Sequence, residues 1–205
     1  MASLKESKTT DGFEEFVYSK SPGYDELTVR AAFRHAVPLK TIVIYCYDPR
    51  AAEVPFALAK ILPGEVYPGE VVYDKAGKKV GGTATIFPVV VAGGRAIDAL
   101  RSITIGQHLF GVSNIVVVHH TNCGTSSFTA QGLIDAFKAE EGRDISGVYE
   151  QESLAIRNLR ETLEHDVKLL RSSPGIPEGT NIYGYLFNID TDEYTLVVSD
   201  PAGNR

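Results

Sequence analysis

No apolar run in this 205-residue chain approaches the roughly 18 residues that a membrane-crossing helix needs. No membrane partner is therefore expected. No cluster of lysine and arginine is present either, and the formal net charge is −6. The chain lacks the basic patch that nucleic-acid binding requires. Its first ten residues, MASLKESKTT, have neither an apolar core nor an Arg-rich amphipathic pattern. That speaks against a secretory signal or a transit peptide and for a cytoplasmic protein. Cysteine is scarce, with two in the chain, too few for a disulfide framework. There is no internal repeat and no low-complexity tract. What remains is a length that suits one domain, 1–205, with a real core.

The hydrophobic pattern alternates short β-rich runs with helical ones. Ile42 to Ile44, Pro88 to Val91 and Asn114 to His119 read as strands buried on both faces. Helices are expected from Asp48 to about Leu62, from Arg95 to Phe110, from Ser126 to Ala139 and from Glu150 to Arg171. The last carries Ile156, Leu159, Leu163, Val167 and Leu170 at the 3.6-residue period. Ile182 to Ile189 and Tyr194 to Val198, joined by a short DTDE link, must pair antiparallel. The fold class is α/β: a central, mostly parallel sheet flanked by helices, with an antiparallel C-terminal edge pair.

Two further segments stand apart. Residues 1–36 form an N-terminal helical arm, with Phe13, Phe16 and Val17 as one apolar patch and a second helix before Pro38. An arm with so little core of its own can pack on a second copy. Residues 65–87 read as an inserted β-hairpin, with Val71 to Tyr73 on one arm and Thr83 to Phe87 on the other. Ala92-Gly93-Gly94 then requires a tight turn or a close backbone approach.

The chemistry sits where strands end. Cys46, Asp48 and Arg50 alternate after the first strand, at the sheet edge where open α/β proteins bind ligands. Asp48 followed by Pro49 also fits a plain helix cap. The other cysteine, Cys123, follows His120 in a His-x-x-Cys pair after another strand. Two lone thiols can be mere small hydrophobes. Joined by His120, however, they form a Cys₂His set, a recognised catalytic zinc arrangement with one position open. His119 points to the opposite face and reads as a packed structural histidine. His165 lies off its helix stripe, in solvent. His35 and His108 are candidate proton relays at the site mouth, with nothing to select between them. Tyr45 and Tyr47 read as core or subunit contacts.

CYDPR and HHTNCG together, in this order, resemble the β-class carbonic anhydrases. GGRAIDALRSITIGQHLFGVSNIVVVHHTNCG is similar to the helix–strand–loop of the small branch with HHTxCG. The helix around Leu154 to Leu170 and the strand GYLFNI also resemble that family's C-terminal part. The resemblance implies a zinc lyase that hydrates carbon dioxide to bicarbonate. It implies one Zn²⁺ per chain on Cys46, His120 and Cys123, a catalytic dyad of Asp48 and Arg50, and Gly124 beside a small-molecule substrate. It also implies a homodimer or an assembly of dimers. Relatives in this branch act on carbonyl sulfide or carbon disulfide with the same zinc set, so a hydrolase is the alternative. A zinc-bearing structural or regulatory protein, with Asp48 closing the site, is a second. The chain departs from the family in two places. Val90-Val91 stands where Arg-Asn is usual, which would make the pocket wall apolar if those side chains reach it. The 65–87 hairpin is longer than the family's connection.

Overall fold

The structure, a computed structural model, describes residues 16–203. The polar start and Phe13 of the N-terminal patch lie outside these residues. Five strands form one sheet in the order β4-β1-β5-β6-β7: β1 is Thr41–Cys46, β4 Ile86–Val91, β5 Asn114–His120, β6 Asn181–Asn188 and β7 Glu193–Asp200. The pairs β1–β4, β1–β5 and β5–β6 are parallel, and β6–β7 is antiparallel. The expected mostly parallel sheet with an antiparallel edge pair is thus what the chain adopts.

Strand alternation explains the two cores. On one face, Ile42, Ile44, Ile115 and Val117 pack with residues of α3 (Leu100–Phe110) and α6 (Leu159–Ser172). On the other, Val43, Tyr45, Val116 and Val118 pack with residues of α2 (Val54–Ile61). Every residue of β1 is buried, as a central strand covered on both sides must be. The helices around the sheet are stopped by chemistry legible in the chain. Gly111 takes the left-handed conformation at φ 64° and returns its N–H to Gln107 at the end of α3. Asn158 caps α6, accepting from the N–H groups of Arg160 and Glu161.

Four expectations about the secondary-structure elements need correction. The helix after β1 is not continuous: Pro49–Ala51 is a 3₁₀ turn, and α2 starts only at Val54. The second arm of the hairpin is β3, Lys79–Gly82, which pairs with β2, Val71–Tyr73. Asp74 accepts from the N–H groups of Ala76 and Lys78. The turn is therefore tight, and pairing begins at once. Ile86 and Phe87 instead pair in parallel with Thr41 and Ile42, so β4 is longer than Pro88 to Val91. It is an edge strand, with Val90 47% exposed, and not a buried one. An edge position is also what tolerates Pro88, which has no N–H to donate. Finally, the long C-terminal helix breaks at Ala155–Asn158, between α5 (Gln151–Leu154) and α6.

The arm helix α1, Glu26–Ala36, buries none of its residues. Arg34 donates to the carbonyls of Leu109 and His108 at the end of α3. His108 itself meets Glu26 at 3.1 Å. The chain leaves α3 to enter β5 at its start, so His108 lies at the end of the sheet away from the strand tips. His35, just ahead of β1, shares that end. Neither is at a site mouth.

The Ala92–Gly94 turn makes the close approach that its glycines suggest. Gly94 has φ 68°, and a Cβ there would lie 2.7 Å from the Val118 carbonyl oxygen. Gly94→Ala should therefore lower stability by more than about 1 kcal/mol, since it adds backbone strain to a clash. Gly124→Ala should not, because its Cβ would meet nothing within 4 Å. Equal urea midpoints for the two variants would refute the close approach.

Candidate metal centre

β1 and β5 are hydrogen-bonded neighbours, and both run toward the same sheet edge. Cys46 ends β1, His120 ends β5, and Cys123 follows one short turn later. Asn122 makes that turn at φ 52°, a left-handed conformation that asparagine tolerates better than most residues. The donor atoms of Cys46, His120 and Cys123 all lie within 4.8 Å of one another, and all three residues are buried. The two sulfurs are 3.8 Å apart, and neither cysteine is in a disulfide.

The imidazole of His120 is set for a metal. Its Nδ1 lies 2.9 Å from the Thr121 carbonyl. A carbonyl only accepts, so Nδ1 carries the proton and Nε2 keeps a free lone pair. That Nε2 is buried without a hydrogen-bond partner. A buried orphan acceptor is costly unless something fills it. Two Zn–S bonds of about 2.3 Å at a tetrahedral angle put their sulfurs about 3.8 Å apart. The spacing and the donor chemistry therefore both fit a thiophilic divalent ion.

The thiols differ before any metal charge is added. Burial pushes the Cys46 thiol up, although the N–H groups of Asp48 and Gly93 face its sulfur. Burial pushes Cys123 up as well, but His120 and the Thr125 hydroxyl outweigh it and bring the thiol to about 7. Thr125 lies 3.1 Å from that sulfur. Nothing in the TNCGTS loop sets Thr125 apart from its hydroxyl neighbours by sequence; its place beside the Cys123 sulfur does.

Asp48 stands beside the set but outside it. Its two oxygens accept from Nε and Nη2 of Arg50 at 3.0 and 2.7 Å, a bidentate pair. Arg50 also donates from Nη2 to the Asn122 carbonyl at 3.1 Å. One guanidinium thus bridges both strand tips. These contacts, led by the Arg50 side chain, hold the Asp48 carboxyl well below the usual carboxylate range. Asp48 does cap the following turn, through the Arg50 N–H at 3.0 Å. The cap reading and the dyad reading are both geometrically true.

A cleft of about 520 Å³ opens over the set, lined by Cys46, Asp48, Cys123 and Gly124 among others. Its lining is mixed: Ala92, Phe128, Leu133 and Leu154, with Tyr47 and Tyr149, stand beside Asp98, Thr125 and Ser153. Val90 and Val91 are not among the lining residues. Val91 packs against the core beneath, so the departure from the family's Arg-Asn does not reach the cleft.

Beneath the cleft lies a network that the sequence analysis missed. Asp166 is fully buried on α6. It accepts from Arg95 Nε and Nη2, from the Ala96 N–H and from His119 Nε2 at 3.0 to 3.3 Å. The structural reading of His119 is thereby explained. Arg95 also donates to the carbonyls of Glu152 and Ser153, the segment that walls the cleft. A signal was available, because Leu163, Asp166, Val167 and Leu170 share the buried stripe of α6. A carboxylate in such a stripe needs a buried partner. His165, next to it, is half exposed.

No protein-family model matches the chain. Over 102 residues it is 30% identical to beta-carbonic anhydrase 1 of Mycobacterium tuberculosis, covering 49% of this chain and 59% of that one. Over 114 residues it is 29% identical to carbon disulfide hydrolase of Acidianus sp., covering 46% and 54%. The chain thus matches less than two thirds of the length of these curated relatives. Among solved structures, a carbonic anhydrase from Streptococcus mutans gives a TM-score of 0.59 at 27% identity, over 77% of this chain and 81% of that one. An apo form of carbon disulfide hydrolase gives 0.57 at 20% identity, over 87% of each, a likeness of fold. Among the described residues, no helix is long and apolar enough to cross a membrane.

Proposed function

We propose, from a chain that belongs with the β-class carbonic anhydrases and their carbon disulfide hydrolase relatives, that it is a zinc enzyme hydrating carbon dioxide to bicarbonate. The observation that carries this reading is the buried Cys46–His120–Cys123 group, with its orphan His120 Nε2, beside an Asp48 carboxylate already held by Arg50. Zinc bound there would supply a Lewis acid that makes water a nucleophile near neutral pH.

The chain's own residues do the rest. Asp48, kept ionised and turned by Arg50, accepts a hydrogen bond from the attacking water and aims its lone pair at the carbon. Gly124 lies beside the substrate, where its lack of a side chain leaves room. Phe128, Leu133 and Leu154 exclude bulk water from one side, which strengthens each polar contact within. The grip of Arg50 on Asp48 favours an open site over one shut by the carboxylate, and so an enzyme over a silent zinc protein.

A second reading has an observation of its own. The apolar share of the lining, led by Phe128, Leu133 and Leu154, and the size of the cleft suit carbonyl sulfide or carbon disulfide, whose sulfur is larger and a poorer hydrogen-bond acceptor than oxygen. Discrimination of this kind in an apolar pocket amounts to about 1–3 kcal/mol. Stopped-flow measurement on zinc-loaded protein should show carbon dioxide hydration well above background and slower turnover of both sulfur substrates. Sulfur turnover with carbon dioxide at background would replace the first reading by the second.

The proposal includes at least a homodimer. Tyr18 and Leu27 of the arm are 60% and 65% exposed, and α1 buries none of its residues, apolar surface that a second copy would cover.

A further inference from the structure

The two sulfurs that face each other across the strand tips can do something other than bind metal. We propose that Cys46 and Cys123 are a disulfide-forming modification site: when no metal separates them, a peroxide oxidant joins them within one chain.

The geometry carries the case. The sulfurs lie 3.8 Å apart and both cysteines are free. Closing to an S–S bond of about 2.05 Å requires about 1.8 Å of relative movement. Cys46 is fixed at the end of a buried strand. Cys123 sits in the loop that follows β5, between a left-handed Asn122 and a short 3₁₀ turn. A loop side chain can rotate where a strand residue cannot. The sulfurs are also held face to face. Cys46 accepts from the Asp48 N–H at 3.4 Å, and Cys123 contacts the Thr125 hydroxyl at 3.1 Å. Both cysteines line the cleft, which is wide enough to admit a small peroxide. No other cysteine exists in the chain, so the pair has no internal competitor.

The chemistry balances with hydrogen peroxide as the oxidant. One sulfur attacks a peroxide oxygen and the O–O bond breaks, giving a sulfenic acid and one water. The second sulfur then attacks the first and displaces the hydroxyl as a second water. In sum, two thiols and one peroxide give one disulfide and two waters. The two sulfurs together lose two electrons and the peroxide gains them. A disulfide removes two of the three donors from His120, so the oxidised chain and the metal-bound chain exclude each other.

The test uses the full chain in two forms, chelator-stripped and zinc-loaded, each given equimolar hydrogen peroxide. In the stripped form both thiols should be lost to alkylation, with a mass loss of about 2 Da and a peptide pair joining Cys46 to Cys123. A dithiol reductant should restore both thiols. Cys46→Ser should instead add about 16 Da per oxygen at Cys123 or link two chains. Retained thiols, or oxygen addition without the internal link in the stripped wild type, would overturn the proposal. The zinc-loaded arm rests on the zinc reading given above and reports on it separately. Protection by zinc supports that reading. Identical oxidation with and without zinc would count against the metal site while leaving the disulfide intact.

Discussion

His120→Ala should yield a folded protein that no longer retains metal. Loss of outer-shell partners alone weakens metal sites by about 10- to 100-fold, so loss of a ligand should exceed that. Turnover should then fall to the uncatalysed rate. The imidazole is oriented in advance: the Thr121 carbonyl accepts from its Nδ1–H, which turns Nε2 toward the two sulfurs. Cys46→Ser and Cys123→Ser should behave alike, because each removes one of only three donors. Elemental analysis decides the matter, with about one zinc per chain expected in the wild type. Wild-type protein that is metal-free without exposure to a chelator would end the zinc reading. Full metal content in His120→Ala would mean the ligands are wrong.

Asp48→Ala should separate from those variants by keeping its metal while losing turnover by about 10²- to 10⁴-fold, the usual contribution of a positioned acid–base group. Arg50→Ala should cost about 10- to 100-fold, since it acts through Asp48. The pH profile provides a sharper signature. Arg50 lowers the Asp48 pKa, so in the wild type the carboxylate stays ionised across the working range and contributes no acid limb. Without Arg50 that pKa rises toward the ordinary carboxylate value, and activity should fall as acid protonates Asp48. If Asp48 were only the cap of the turn at Pro49, its removal would cost about 1 kcal/mol of stability and leave turnover intact. Melting and turnover measured on one sample distinguish these outcomes.

The site was legible because its chemistry is local to two strand ends. CYDPR and HHTNCG each place their reactive groups within a few residues of a buried run, and neighbouring parallel strands bring such ends together. The alternation of His119 and His120 followed from strand geometry alone. What failed to show depended on distant partners. The hairpin register turned on Asp74 tightening its own turn and on Ile86 finding Thr41 across the sheet. The break in the C-terminal helix arises because the Ile156 N–H bonds the Thr125 carbonyl and its side chain packs on both cysteines. Periodicity assigned Ile156 to a helix stripe because it cannot see a contact some thirty residues away in the chain. The Asn158 cap, followed by Glu161, was a readable start signal for the second helix.

The wall of the cleft has no hinge at Arg95. That guanidinium grips the carbonyls of Glu152 and Ser153 with one nitrogen while its others lie against Asp166 in the interior. Swinging the wall outward would strip Nη1 of Arg95 of its two carbonyl acceptors in a dry interior, which costs about 1–3 kcal/mol. The wall is thus held in place at Glu152 and Ser153, and the cleft over the cysteines stands open as a doorway. For molecules as small as the proposed substrates, such a doorway sets no conformational clock on turnover.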